Sequence, residues 1–534
     1  MHAHLPLTTH YPRPTPHCLL AASCFLLFLA GCGSKPPTET APERPLEGVK
    51  LRLLVVGDAE IAAAAARLQG EWAAQTRAEY RVSQLSEKEL ETAAALDADA
   101  VICPAYQLGP LAERKLIAPL PKDALKSAGT QWHDVFELLQ LREATWGGET
   151  AGVPFGSPVL VCYYRADLLK KLGRRPPQTW AEYQRLAELL ADRKNLGDAA
   201  PPADQPWCGA IEPLGPGWAG LTLLARAAPY AKHHNNYSTL FDIESMSPLI
   251  DKAPFVQALG DLVAVAKLGA PEQLQADPAA VRTAFWQGRC GLALTWPTGT
   301  VPVFAPAKTG LFPSDASPST AISGKQIGFV ELPGSAKVFD LGRRAWDTRG
   351  ENQDPHVPLL TISGRMGAVI AKSDQSDAAT QLLFWLASDQ LSPQVSATSP
   401  ATTLFRRTQV RFPRAWVERQ ASFEAAKQYA AAAERTLSGG RSNEGTTAAR
   451  PYYREDPKQI QQTLSRKEWL AALPIPGRAE YLAALDQAVH DAISGEQIPL
   501  AALQAAREEW ERITKAKGLE PQRKAYRRSL GMSD

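Results

Sequence analysis

Apolar and polar positions alternate along this chain in two rhythms. Leu51 to Val56 is a compact apolar run that stops at Gly57-Asp58 and gives way to an alanine-rich segment through Arg67 and Trp72 with helical spacing. Ala100-Val101-Ile102, after Asp97 and Asp99 and before Leu108, Leu111, Leu116 and Ile117, repeats that unit. Repeated alternation of strand and helix predicts an open α/β sheet. Extended, partly aromatic text runs from Gly152 to Tyr164; Asp167-Leu168-Leu169 then starts a helix that Gly173 ends, and Thr179 caps another over Trp180 to Leu190. Near the end, Tyr481, Leu482, Leu485, Val489 and Ile493 share one helical face broken by Gly495. Leu500, Leu503, Ala506, Trp510 and Ile513 share the next, which Gly518 ends before a basic tail that reads as a solvated face. The stretches Pro201 to Pro206, Ala307 to Gln326, Val338 to Val357 and Leu437 to Lys458 read as long surface loops. No repeat of solenoid or propeller length is present.

With 534 residues, 45% hydrophobic and 21% charged, the chain has the composition of a globular protein of two to four domain-sized units. Lys+Arg 58 against Asp+Glu 56 leaves a net charge of +2, so no basic field recruits nucleic acid and none is expected as a partner. Residues 18–32 form an apolar stretch too short to span a bilayer and ending in small residues, the pattern of a signal-peptide core. Leu29-Ala30-Gly31-Cys32 resembles a bacterial lipobox, which implies a lipid on Cys32; an ordinary signal peptide cut nearby, or a short membrane anchor, is the alternative. The rest is expected as a body held outside the cytoplasm, at a bacterial membrane. Of the four cysteines left in that body, Cys103 and Cys162 sit in strand-like apolar runs, and Cys208 with Cys290 is one possible bridge.

Several separated blocks resemble one family, the extracellular solute-binding proteins of family 1 that serve ABC importers. They are Asp99 to Val101 with Leu111 to Leu120; Gly152 to Ser157, Tyr163 to Leu169 and Pro177 to Tyr183; Phe285 to Pro297; and Ser363 to Ile370 with Ala378 to Leu386. The closing helices with Tyr481 and Trp510 complete the set. The resemblance implies an α/β, two-lobe periplasmic-binding-protein-like fold, with hinge-connected lobes and a ligand cleft between them. The expected layout is a signal peptide over 1–31, a Pro-rich tether over 32–49, lobe I over 50–155 and 326–400, and lobe II over 156–325 and 401–534. It also implies a monomer that captures a small polar ligand, a sugar in many relatives, and delivers it to an ABC permease, without a cofactor and without chemistry of its own. The alternatives are a lipid-anchored glycoside hydrolase and a ligand-binding module for a membrane sensor. Two departures stand out: the insertion around Val338 to Val357, and Arg365 where sugar binders often carry an aromatic residue.

A sugar cleft needs aromatic platforms beside groups that accept and donate hydrogen bonds, and the chain has 13 Trp and 13 Tyr. Trp296 is the first stacking candidate, or else a core indole. Asp58 is a ligand contact at a strand end, or a helix cap. Phe155, Ser157 and Tyr164 border the first crossing, with Tyr164 at a position where the family often has a ligand-facing tyrosine; a packed hinge strand is the other reading. Trp218 lies in a glycine-rich loop, and Tyr481 opens a late helix. Arg365 is a fork for a ligand carboxylate or phosphate, or a bridge between lobes. Gly215 to Gly220 spells G-x-G-x-x-G with Asp242 and Glu244 downstream, but the bulky Trp218 inside the turn makes it a decoy. His233-His234 reads as an exposed pair, and neither a metal site nor a catalytic motif is expected.

Overall fold

The computed structural model describes residues 46–299, 322–350, 353–438 and 468–532. Cys32, the leader, most of the tether, and much of the expected loops at 307–326 and 437–458 lie outside the described residues.

The first apolar run becomes β1 (Lys50–Val56), flanked in parallel by β2 (Glu79–Leu85) and β3 (Ala100–Pro104). Helix α1 (Ala59–Arg67) packs against β2, and every residue of β3 is buried, as expected for a strand covered on both faces. β4 (Ile117–Ala118) and β5 (Val153–Gly156) complete the chain's first visit to this sheet. A second sheet follows: β6 (Val161–Arg165), β7 (Cys208–Ile211), β8 (Cys290–Thr295) and β9 (Ile327–Glu331), in the order β9-β6-β8-β7. It carries α2 (Trp180–Ala191), capped by the Thr179 hydroxyl as the sequence predicts. It also carries α3 (Ala219–Ala231), α4 (Ala253–Ala266) and α5 (Pro278–Trp286). Cys208 and Cys290 stand in register on β7 and β8 but remain, like Cys103 and Cys162, buried free thiols.

Because β9 pairs with β6 in the second sheet, residue 326 does not mark the return to the first lobe. The chain comes back through β10 (Leu359–Leu360) to β11 (Arg365–Ile370), which lies antiparallel between β3 and β4. The insertion expected as a surface loop is instead partly a hairpin, Lys337–Asp340 with Ala345–Thr348, whose Val338 and Phe339 are buried. After α6 (Ser376–Leu386) on the first lobe the chain crosses again to α7 (Phe423–Leu437), which packs on β9. β12 (Leu470–Ala471) pairs with β10, and α8 (Arg478–Ser494) and α9 (Pro499–Lys517) then pack beside α3 and α4. Gly495 and Gly518 end these helices as predicted. The basic tail is a further helix, α10 (Leu519–Ser529), with Tyr526 buried and Arg527 paired to Glu244.

Two glycines let the crossing segments touch. Gly156 has φ +120°, and a Cβ there would lie 2.5 Å from the Thr403 carbonyl oxygen; at Gly364, with φ +90°, a Cβ would meet the Ser157 hydroxyl at 2.9 Å. Gly156→Ala is expected to cost about 2 kcal/mol of stability through strain and forced separation of the crossings. An unchanged urea midpoint in the variant would contradict that account.

Candidate functional site

The loop after β1 places Asp58 at the N-cap of α1, where its Oδ1 accepts the Ile61 amide at 3.0 Å. Its Oδ2 accepts the Ser399 hydroxyl at 2.5 Å and faces Arg365 Nε at 2.9 Å. The rest of the guanidinium is also engaged: Nη1 donates to the Gly364 carbonyl and Nη2 to that of Gly57, each at 2.9 Å. Asp58 and Arg365 are both buried, and both belong to the first lobe, Arg365 at the head of β11. Arg365 therefore ties β11 to the end of β1 within that lobe rather than bridging the two lobes, and Asp58 does act as a helix cap.

Ser399 leads to Pro400, whose carbonyl accepts the Trp296 indole N–H at 2.9 Å. Trp296 follows β8 of the second lobe, so this bond crosses between lobes. Its backbone carbonyl accepts Arg282 Nη1 at 2.9 Å, and Arg282 Nε lies 3.5 Å from the buried Glu418 carboxylate, which also accepts the Tyr163 hydroxyl at 3.2 Å. Burial pushes the Glu418 pKa up while the Arg282 charge opposes it. The indole of Trp218 sits 5.5 Å from that of Trp296, tilted by 45°. Trp218 is half-buried, on the glycine-rich turn before α3, and that turn is held from α8: Asp486 accepts the Gly217 and Gly220 amides at 2.5 and 2.7 Å. The amides that a nucleotide loop would turn to phosphate are thus spent on an internal carboxylate, which burial pushes upward in pKa. Asp242 closes a local turn through the Glu244 and Ser245 amides.

Asp58, Arg365, Trp296 and Trp218 are therefore linked through Ser399 and Pro400 into one run of contacts between the lobes. The other expected site residues are packed elsewhere. Phe155 is fully buried in the core; Ser157 is buried and donates to Glu143 Oε1 at 3.0 Å. The Tyr164 hydroxyl lies 3.4 Å from Gln428 Oε1, and the hydroxyl of the fully buried Tyr481 is 2.8 Å from that of Thr514. His233 is not part of an exposed pair: it is buried, its Nδ1 accepts the Asn235 amide at 3.1 Å and its Nε2 lies 3.0 Å from Asp347. Asp340 and Asp347 gather around it, and the Arg343 guanidinium contacts both carboxylates and balances them. Ser399, Pro400, Arg282, Glu418 and Asp486 were missed by sequence reading. Asp486 and Arg282 had a signal, a charge set within an otherwise apolar helical stretch; Ser399 and Pro400 had none.

Two α/β lobes joined by crossing segments, with aromatic and polar side chains meeting between them, define a two-lobed binding protein. The chain belongs to the bacterial extracellular solute-binding protein family, whose profile matches residues 81–391. In fold it is similar to an ABC-transporter solute-binding protein from Agrobacterium radiobacter K84 in complex with ribitol (18% identity over 88% of this chain and 99% of that one, TM-score 0.57). It is also similar to one from Agrobacterium vitis S4 with bound D-mannitol (17%, 88% and 99%, TM-score 0.56). A third is the sugar-binding protein MalE from Xanthomonas citri (17%, 88% and 98%, TM-score 0.56). A search of curated proteins finds no match. Among the described residues no helix is long and apolar enough to cross a membrane.

Proposed function

We propose that this protein is the receptor of an ABC importer for a sugar or polyol, held outside the cytoplasm by a lipid on Cys32, and that it hands its ligand to a permease. The observation that carries this reading is the tilted Trp218–Trp296 pair on one lobe, directly opposite Ser399 and Pro400 on the other. Aromatic faces take the apolar side of a sugar ring, and the segment at Ser399 and Pro400 brings polar backbone beside them for its rim. Arg365, held by Asp58 and two carbonyls, acts here as the support for Asp58 and not as an anion fork. Phe155, Ser157, Tyr164 and Tyr481, packed away from this pair, are left out of the proposed ligand contacts. The glycoside hydrolase alternative needs two free carboxylates, and the acids linked to the tryptophans here are committed: Asp58 to Arg365 and Ser399, Asp486 to backbone amides, and Glu418 to Arg282 and Tyr163.

The reading is tested by a thermal-shift screen of the chain from Cys32 onward with ribitol, D-mannitol, maltose, amino acids and phosphorylated sugars. A ligand present at 100 times its Kd adds about 2.7 kcal/mol by mass action. A shift with a neutral sugar or polyol is expected. Shifts confined to anionic compounds, or none at all, would overturn the sugar assignment.

A further inference from the structure

Two of the three segments that pass between the lobes meet at one carboxyl group outside the candidate site, and the third joins them through Ser157. The first, 157–160, joins β5 to β6; the second runs through β10 into β11; the third follows Ser399 toward α7. Glu143 ends a single wide helical turn, Leu139–Glu143, of the five-residue-spaced kind that recurs at functional positions. Its Oε1 accepts the Ser157 hydroxyl of the first crossing at 3.0 Å and the Thr361 amide of the second at 2.5 Å. The Ser157 carbonyl in turn accepts the Thr403 hydroxyl of the third at 2.7 Å.

Thr361 holds a left-handed conformation, φ +57°, which is strained for a β-branched residue and persists only where neighbours fix it. Its fixings are the Glu143 carboxyl and the Ala472 amide, which donates to the Thr361 hydroxyl at 3.0 Å next to the β10–β12 pairing. Glu143 is 3% exposed, and its Oε2 is buried without a protein hydrogen-bond partner. It borders a cavity of about 10 Å³ together with Arg142, Trp146, Thr361 and Trp469.

The charged groups around it make other contacts. Arg142, on its own turn, lies 4.9 Å from the centre of the Trp469 ring, and Lys232 reaches the same ring at 6.0 Å beside Glu468. Beyond Trp146, Glu113 accepts its indole N–H and pairs with Arg528 at 3.1 Å. None of these forms an ion pair with Glu143 among the described residues. Burial accordingly pushes its pKa up to about 7, against the pull of its two hydrogen bonds.

We propose that Glu143 is the hinge-positioning residue of this protein: its carboxyl group sets the angle between the first and second crossings, and its protonation sets how firmly the lobes are held. The hinge contact stands on the fold alone; only its effect on ligand retention rests on the receptor reading. A buried acid with a raised pKa favours, while protonated, the arrangement that buries it, so the hinge contact tightens below neutral pH and loosens as pH rises through about 7.

The test is amide hydrogen exchange on the intact chain at pH 5.5 and 8.5, corrected for intrinsic rates, without ligand. Protection of peptides covering 157–160 and 359–364 is expected to fall by about tenfold or more at the higher pH, while β1 and β3 stay unchanged. Glu143→Gln, isosteric and unable to ionise, is expected to show equal protection at both. A wild type without pH dependence there, a change spread evenly over the core strands, or the same pH dependence in Glu143→Gln would overturn the proposal. Because no ligand enters this experiment, its failure is separate from failure of the sugar screen.

Discussion

Arg226→Met is expected to lower the unfolding free energy by about 3–5 kcal/mol, the cost of leaving a buried charge without its partner. Arg226 on α3 and Glu212, just past β7, are each about 1% exposed, and Arg226 Nε donates to Glu212 Oε2 at 2.9 Å with a second contact beside it. The guanidinium also lies 4.2 Å from the centre of the Trp180 ring and 5.4 Å from that of Tyr183, so methionine keeps the packing volume while removing the charge and the cation–π contacts. The orphaned Glu212 carboxylate is then left in an apolar core without its counter-charge. Urea unfolding of the single variants and of Arg226→Met/Glu212→Leu separates the effects, since removing both charges is expected to restore most of the stability. A single variant that loses less than about 1 kcal/mol would show that the pair is solvated, contrary to its burial.

The second large effect concerns binding. Trp218→Ala is expected to weaken the sugar or polyol that gives the largest thermal shift by about 10- to 100-fold, or roughly 1–3 kcal/mol, because an aromatic platform is removed from the cleft. Trp218 is half-buried and its turn is held by Asp486, so folding stability should change little. Trp296→Ala is expected to lose the affinity and also about 3–5 kcal/mol of stability, since that indole is 4% exposed and donates across the lobes to Pro400. Titration calorimetry beside urea unfolding reads both quantities. Full affinity in a folded Trp218→Ala would remove this aromatic pair from the binding site.

The two tryptophans and Asp58 were legible because each interrupts or ends a local pattern: an indole after a β run, an indole inside a glycine turn, an acid between strand and helix. Arg365 was legible as an anomaly, and of the two roles the sequence left open, the bridge between lobes gives way to a tie within the first lobe. Its partners are Asp58, more than 300 positions earlier, and the carbonyl of Gly57, which only the antiparallel insertion of β11 next to β3 brings near. The boundary at residue 326 failed for a similar reason. Ile327–Glu331 is short apolar text that fits either sheet, and only its pairing with β6 assigns it. The insertion after it looked like loop because its polar hairpin strands alternate weakly, yet its first strand packs on α3 and α4 with Val338 and Phe339 buried.

The sequence by itself determined the elements with strong period and clean ends: the strands β1 and β3, the Thr179-capped helix, and the long closing helices stopped by Gly495 and Gly518. These follow from local side-chain spacing and backbone preference, which act over a few residues. Only the tertiary structure decided what the polar side chains do. Glu143, Asp486, Glu418 and Arg282 carry no motif, and their roles arise from burial and from partners supplied by distant segments. Electrostatics and desolvation depend on what surrounds a charge in space, and the order of the chain does not encode that surrounding directly.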